Sequence, residues 1–526
     1  MIFISCCTER KNPGSEPKQV KEIYTWESLA KRPVPKWFND AKFGIMIHWG
    51  PYSVIGHRRG EDYAEWTPYH MYHDEKCFFY DYFEETYSAQ PPEFGYKDII
   101  PLFKAEKWDP DAWAELFHEA GAKYVTLTAE HHDGYALWDS DITEWCTTKT
   151  GPMRDLVGDL GKAVRRKGMK YAPSYHRERH NSYFAEEMYV IKSQPLPDIA
   201  REIELMPKAA DLYGPFELSD AFIQDYVARW KEIEQKYQPD FMWIDDVPIF
   251  YKKEESKNHP QIHKYRDAFL NMIGDYFKAS DEWGKEVYLN NKGKHKNWPD
   301  GPGCLEMDNL QLDSIAEKWE NPATLGTSYG YAKDEEEKDA YKSPTELIHL
   351  LCDVVSKNGN LLLNIGPKAD GTIPDGMQKR LITIGEWLKI NGEAIYNTRP
   401  WLTFGEGPTR LKKGGGFTHS HSGYLNYTNQ DIRYTRSKDD KTLYVITLGW
   451  PDGKTLTLNS VKINQADEGT VKLLGYDKHL DYEINSANQL VITVPELNEN
   501  ERPCQYAYCF AITGFKTSLS THPKAK

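Results

Sequence analysis

Long apolar runs are what this chain most plainly lacks. The richest stretch, Asn360-Leu361-Leu362-Leu363-Asn364-Ile365, is far too short to cross a bilayer, so no integral membrane segment is expected. Cysteine is scarce, at 8 in 526 residues, and no two fall at a CxxC spacing. That excludes a zinc ribbon or finger and leaves no disulfide framework. Cys504 and Cys509 lie close enough in sequence to pair in an oxidising compartment. No HExxH occurs, and His131 and His132, adjacent on a strand, point to opposite faces, so neither a metal nor an organic cofactor is expected. Positive charge is in deficit: Lys+Arg 65 against Asp+Glu 79 leaves a net charge of −14. A general nucleic-acid binder needs the opposite balance to neutralise phosphates. Lys413 to Gly416 reads KGGG, but without the strand–GxxxxGK–helix setting of a phosphate loop.

Aromatic residues, by contrast, are abundant: 16 Trp, 34 Tyr and 20 Phe make up 13% of the chain. Flat apolar faces with polar rims suit sugars, whose C–H faces stack and whose hydroxyls need hydrogen bonds. The N-terminus, Met1-Ile2-Phe3-Ile4-Ser5-Cys6-Cys7, ends as a bacterial lipoprotein signal does, although a basic n-region is absent. With the polar stretch Thr8 to Lys18 as a tether, it implies a lipid anchor at Cys6 and a periplasmic, outer-membrane-anchored or secreted protein. A frayed terminus with two incidental thiols is the alternative.

From about residue 40 to 395, short apolar runs alternate with amphipathic helical stretches. Strands are expected at 42–49, 124–128, 169–174, 241–244 and 287–290. Helices are expected at 109–121, with Asp109 as N-cap and Gly121 as stop, at 156–167, and along Phe222, Tyr226, Trp230 and Ile233. The repetition argues for an α/β fold with a (β/α)8-type barrel in a catalytic domain of residues 23–398. After Pro400 the runs 443–448, 455–458, 470–474 and 490–494 are short and rich in β-branched residues. They suggest a C-terminal antiparallel β-sandwich over 399–516, with 1–22 a tether or signal remnant and 517–526 a tail.

In a barrel the catalytic face is built at the C-terminal ends of the strands. Here those ends read His48, then His131 with His132, Tyr175, Asp245, Asn290 and Glu306. Acids, imidazoles and aromatic rings together suit a sugar site with one nucleophilic and one protonated carboxyl group.

Several segments carry a resemblance to a known family. Trp26 to Val54 (WESLAKRPVPKWFNDAKFGIMIHWGPYSV), EWTPYHMY from Glu65, EHHDGYALWDS from Glu130 and PDFMWIDD from Pro239 resemble glycoside hydrolase family 29, the α-L-fucosidases. So do WENPATLGTSYGY from Trp319, VVSKNGNLLLNIGPKADGTIP from Val354 and EWLKINGEAIY from Glu386, all in the family's order. The resemblance implies an exo-acting retaining α-L-fucosidase that releases terminal L-fucose by double displacement. It implies Asp245 as nucleophile, with Asp246 the neighbour able to swap roles. The acid/base falls on Glu306, with Glu320 in the W-E pair as competitor. Sugar contacts fall on His48, Glu65, Trp66, His131, His132, Tyr175, Lys292 and Glu320. Three departures stand out: Glu130 where the family usually has Lys, Lys292 for the usual Arg, and Tyr175-His176-Arg177-Glu178-Arg179-His180 in place of an aromatic-rich segment.

Other readings of the same residues are an α-L-galactosidase, since L-galactose adds a hydroxyl at C6, and a carbohydrate-binding pseudoenzyme. The partner expected is a fucosylated oligo- or polysaccharide. Two loops, one with His176, Arg177, Arg179 and His180 and one with Lys292, Lys294, His295 and Lys296, are basic. They form either a solvated rim paired with Glu130 and Glu178 or a subsite for a sulfated glycan.

Overall fold

The structure, a computed structural model, describes residues 24–58, 60, 62–73, 78–245, 258–291, 304–306, 312–409 and 426–519, with the backbone alone at 78, 80, 291, 304–306, 466 and 467. Eight parallel strands close into a barrel in chain order: β1 (Phe43–Ile47), β2 (Tyr124–Glu130), β3 (Lys170–Tyr175), β4 (Phe241–Ile244), β5 (Tyr288–Asn291), β6 (Cys304–Glu306), β7 (Trp319–Thr324) and β8 (Gly359–Ile365). β1 pairs with both β2 and β8, which closes the ring. β1, β2 and β8 are buried at every residue. That is the pattern of a parallel sheet covered on both faces, and it explains why these runs read as continuously apolar. The connecting helices start where side chains can cap them. Asp109 accepts from the Asp111 and Ala112 amides, Asp155 from Gly158, and Ser343 forms a reciprocal box with Glu346.

The barrel interior divides into a floor and a mouth. Met46, Tyr124, Ala172, Phe241, Trp243, Tyr288 and Leu362 fill the lower layers, and Phe38, from the helix Lys36–Ala41, plugs the bottom. Its ring stacks on Tyr288 with centroids 3.9 Å apart. Gly44 is required here, because a Cβ would lie 2.5 Å from the Tyr124 ring. Inward positions alternate with period two, so Met46 predicts His48 above it, Ala172 and Ser174 predict His176, and Phe241 and Trp243 predict Asp245. β2 breaks this parity. Thr128 pairs with Ser174 and Glu130 with Tyr175, so two steps on β2 match one on β3. The extra residue is a β-bulge that turns Glu130 outward and re-aims the following His131 and His132.

Beyond the barrel, seven strands form one antiparallel sheet in the order β13-β14-β12-β15-β11-β10-β9. They are β9 (Thr398–Glu406), β10 (Ile432–Ser437), β11 (Thr442–Thr447), β12 (Thr455–Leu473), β13 (Tyr482–Ile484), β14 (Gln489–Thr493) and β15 (Tyr508–Leu519). The expected runs at 455–458 and 470–474 are the two ends of the single strand β12, whose register shifts twice against β15. Those irregularities bend the sheet over a core of Tyr434, Val445, Leu458, Val471 and Phe510. Glu406 at the end of β9 reaches β12, accepting the Asn459 amide at 3.0 Å. Arg433 joins this sheet to the barrel through Asp353, Nε to Oδ1 at 2.7 Å. Cys504 and Cys509 are free thiols, not a disulfide; Cys504 donates to the Ala507 carbonyl. The expected tail begins three residues too early, since Thr517, Ser518 and Leu519 pair with β12 as the end of β15; the expected anchor at Cys6, the KGGG turn and residues 520–526 lie outside the described residues. No helix among the described residues is long and apolar enough to cross a membrane.

Candidate active site

Asp245 stands at the top of β4, with its side chain 14% exposed, and faces two cationic or protonatable groups. His132 Nε2 lies 3.2 Å from its Oδ2, and Arg179 Nη2 lies 3.7 Å away. His132 Nδ1 donates to the His176 carbonyl at 2.6 Å, so its other nitrogen is left for the carboxylate. That contact is favourable only with a proton between the pair. Burial and Arg179 pull His132 below its ordinary pKa, while Asp245 pulls it back up. Arg179 is held by two rings, its guanidinium 5.4 Å from the Trp66 centroid and 5.3 Å from that of Tyr189. Asn290, buried on β5, accepts the Ile244 amide at 2.7 Å and so fixes the backbone just below Asp245.

Glu65 and Trp66 come from the short 3-10 turn Ala64–Trp66. Glu65 is buried and accepts the Gly330 amide at 2.7 Å. A side chain at Gly330 would crowd the Glu65 backbone nitrogen at 2.9 Å, so this approach also needs glycine. Burial pushes Glu65 up to about 8, with the Asp245 charge adding to it, so it is a neutral carboxyl at pH 7 that can donate to a hydroxyl. Trp66 packs edge-on to His132, centroids 5.3 Å apart. His48 Nδ1 meets Asn364 Oδ1 at 2.7 Å, and its ring lies 5.9 Å from that of His131. Behind the turn, Asp133 accepts from the Tyr96 hydroxyl and the Tyr135 amide, which locks the two preceding histidines in place.

Thus His48, Glu65, Trp66, His131, His132 and Asp245 come together at the mouth, and two expected residues do not. Tyr175 points away from the lumen. It is fully buried, donates to the Tyr226 carbonyl at 2.9 Å and packs on Tyr226 and Trp230 of the helix Asp220–Tyr237. His176 occupies the inward position instead, as the parity of Ala172 and Ser174 requires. The signal was in the sequence, because Tyr175 is in phase with the outward Tyr171. Glu320, second residue of β7, is buried near the floor, where its Oε1 accepts from Tyr124 Oη at 2.8 Å. Burial pushes it up to about 7. It braces the floor and does not reach Asp245's partners.

The loop after β3 is not the solvated basic rim its composition suggests. His176, Arg177 and His180 are all buried. Arg177 pairs with Glu130 and Asp225, and Arg229 pairs with the same two acids, beneath the helix Asp220–Tyr237. Glu130 is therefore half of an outward network made possible by the bulge. Of that loop's four basic residues, Arg179 alone meets Asp245. The side chain of Glu306 and all of Asp246, Lys292, Lys294, His295 and Lys296 lie outside the described residues. Backbone register still relates Glu306 to Asp245. Met242 pairs with Leu289 and Asn290 with Cys304, so counting along the ladders aligns Trp243 with Cys304 and Asp245 with Glu306, two strands apart. Gly326-Thr327-Ser328-Tyr329-Gly330 has the spacing of a hydrolase nucleophile elbow, but Ser328 Oγ accepts from the Ala64 amide and lies 3.4 Å from Glu65. It buttresses Glu65 and is no serine nucleophile.

A carboxylate flanked by imidazoles and tryptophan at the C-terminal mouth of a parallel barrel is the layout of a glycoside-cleaving enzyme. Comparison with known proteins narrows this class. A family model described as Alpha-L-fucosidase matches residues 12–393, and one described as Alpha-L-fucosidase C-terminal domain matches residues 426–513. The tissue alpha-L-fucosidase of Bos taurus is 30% identical over 527 residues, spanning 97% of this chain and 94% of its own length. The tissue alpha-L-fucosidase of Homo sapiens is 31% identical, over 93% and 91% respectively. The crystal structure of Thermotoga maritima alpha-fucosidase superposes with a TM-score of 0.70 at 31% identity, over 93% of this chain and 99% of that one. The chain belongs to the α-L-fucosidase family, glycoside hydrolase family 29. It is a glycoside hydrolase with α-L-fucosidase activity.

Proposed function

We propose that the enzyme removes terminal L-fucose from fucosylated oligo- or polysaccharides with retention of configuration, through a covalent fucosyl-Asp245 intermediate. The observation that carries this reading is the placement of Asp245 at the mouth, 3.2 Å from His132 and 3.7 Å from Arg179. The Arg179 guanidinium favours the ionised carboxylate, which is the form that attacks the anomeric carbon. Glu306 protonates the leaving oxygen and then activates water, a role supported by its register with Asp245 two strands away. Neutral Glu65, His48 and His131 take the sugar hydroxyls, and Trp66 covers the apolar face bearing the methyl group. The catalytic unit in this reading is residues 23–398.

The name of a related structure, Thermotoga maritima alpha-fucosidase in complex with fucose, supports the choice of sugar; that complex is 32% identical, with a TM-score of 0.68. The deciding experiment is to follow hydrolysis of an aryl α-L-fucoside by NMR. The α-anomer of fucose appears first if the reading holds, and first appearance of the β-anomer rejects double displacement. Glu306→Gln then slows substrates with poor leaving groups far more than activated ones. If Glu306→Gln behaves as wild type, the acid/base lies elsewhere. A sulfated substrate is favoured only if its kcat/KM falls with salt while that of a neutral fucoside does not.

A further inference from the structure

Three imidazoles converge on the mouth from three different strands. His48 follows β1, His131 follows β2 and His176 follows β3; all are buried, and one ring nitrogen of each lies within 4.8 Å of the others. The tautomers of two are set from behind. Asn364 Nδ2 donates to the Tyr329 carbonyl at 2.7 Å, so its Oδ1 is the atom facing His48. His48 therefore carries its proton on Nδ1 and a lone pair on Nε2. Ser174 Oγ donates to Thr128 Oγ1 at 3.3 Å and so accepts from His176 Nε2 at 2.9 Å. That leaves the lone pair of His176 on Nδ1. His131 Nδ1 is buried with no hydrogen-bond partner among the described residues.

We propose that His48, His131 and His176 form a tris-imidazole site for a divalent d-block cation of the zinc class. Neutral imidazoles whose far nitrogens donate to a carbonyl or hydroxyl oxygen are what such a cation needs, and Asn364 and Ser174 are those outer partners. His132 is not a member, since its Nδ1 is committed to the His176 carbonyl and its Nε2 to Asp245. Zinc–nitrogen bonds of about 2.0–2.1 Å put tetrahedral nitrogens about 3.4 Å apart, so the rings close in by up to roughly 1.4 Å on binding. Three protein ligands leave one position open toward the sugar pocket. The cation and the sugar then exclude one another, a consequence that rests on the fucosidase reading, whereas cation binding does not.

Cobalt(II) chloride added to the tag-free full chain tests this, because cobalt takes zinc's geometry and absorbs visible light. The expected result is an intense four-coordinate d–d band that saturates at a single equivalent and is abolished by zinc. Ser174→Ala weakens cobalt binding about 10-fold, as expected of an outer partner, and His48→Gln or His176→Gln by more than about 100-fold. Circular dichroism confirms folding of each variant. If one His variant fails to fold, the other and Ser174→Ala decide. No band in the wild type, or an unchanged band in the folded variants, overturns the proposal. L-fucose added to the cobalt form bleaches the band if both readings hold. A band that is lost in the His variants but unmoved by fucose leaves the metal site standing and rejects the placement of the sugar.

Discussion

The floor and the mouth of the barrel lie on the same strands, yet they solve opposite problems. On the floor, Phe38, Tyr124, Phe241, Trp243 and Tyr288 fill the lumen, and the single acid Glu320 is answered by the Tyr124 hydroxyl. At the mouth, His48, His131, His132, Glu65 and Asp245 are crowded together as polar, mostly buried groups. A polar group placed where it is satisfied contributes to stability; the same group held ready for a ligand costs stability. The floor is therefore where substitution should hurt folding, and the mouth is where it should hurt turnover.

The largest expected effect is at the mouth. Asp245→Asn should cut kcat by roughly 10⁴-fold or more while leaving the melting temperature within a few degrees of wild type. Azide should restore part of the rate by trapping a glycosyl azide. A dead Asp246→Asn beside an active Asp245→Asn would move the nucleophile by one residue.

Glu65 sharpens the contrast through pH. In the folded protein it keeps its proton until about pH 8, whereas the unfolded chain releases it near 4.5. Between those values the folded state binds more protons, so stability falls as pH rises and levels off above 8. At about 1.4 kcal/mol per pKa unit, the loss is at most on the order of 5 kcal/mol. Asp133 and Glu320, each pushed up to about 7, act in the same direction. Glu65→Gln should flatten the slope of denaturation midpoint against pH, and an unchanged slope would show that Glu65 is ionised in the fold.

On the floor, Glu320→Ala strands the Tyr124 hydroxyl in an apolar layer. Its expected cost is about 1–3 kcal/mol of stability, measured by urea titration, with kcat retained. A variant of full stability but lost activity would instead return Glu320 to the acid/base role.

The smallest effect tests parity on β3. Tyr175→Phe removes one buried hydrogen bond, to the Tyr226 carbonyl, and should cost about 1 kcal/mol with KM for an aryl fucoside unchanged. A raised KM would mean that the ring turns inward when sugar is bound.

Much of this fold is legible in the chain. The strand Phe241–Ile244 ends where the apolar run ends, and the helix beginning at Pro110 starts where Asp109 and proline place it. β12 was less legible, because a strand bent by bulges reads as two separate runs. His176 was legible in principle, but only by counting inward positions from Ala172, not by reading the last aromatic of the run.

The sequence by itself determined the repeated strand–helix alternation, the polar residues at the strand ends and the family, because period-two alternation, caps and motif order are local properties. Tertiary structure alone decided which of those ends share a pocket. The bulge at β2 sends Glu130 out to Arg177 and Arg229, and barrel closure brings His48, His131 and His176 within 4.8 Å of one another. Glu320 is similarly held at the floor by Tyr124. Each of these depends on register between strands far apart in sequence, which no local pattern encodes.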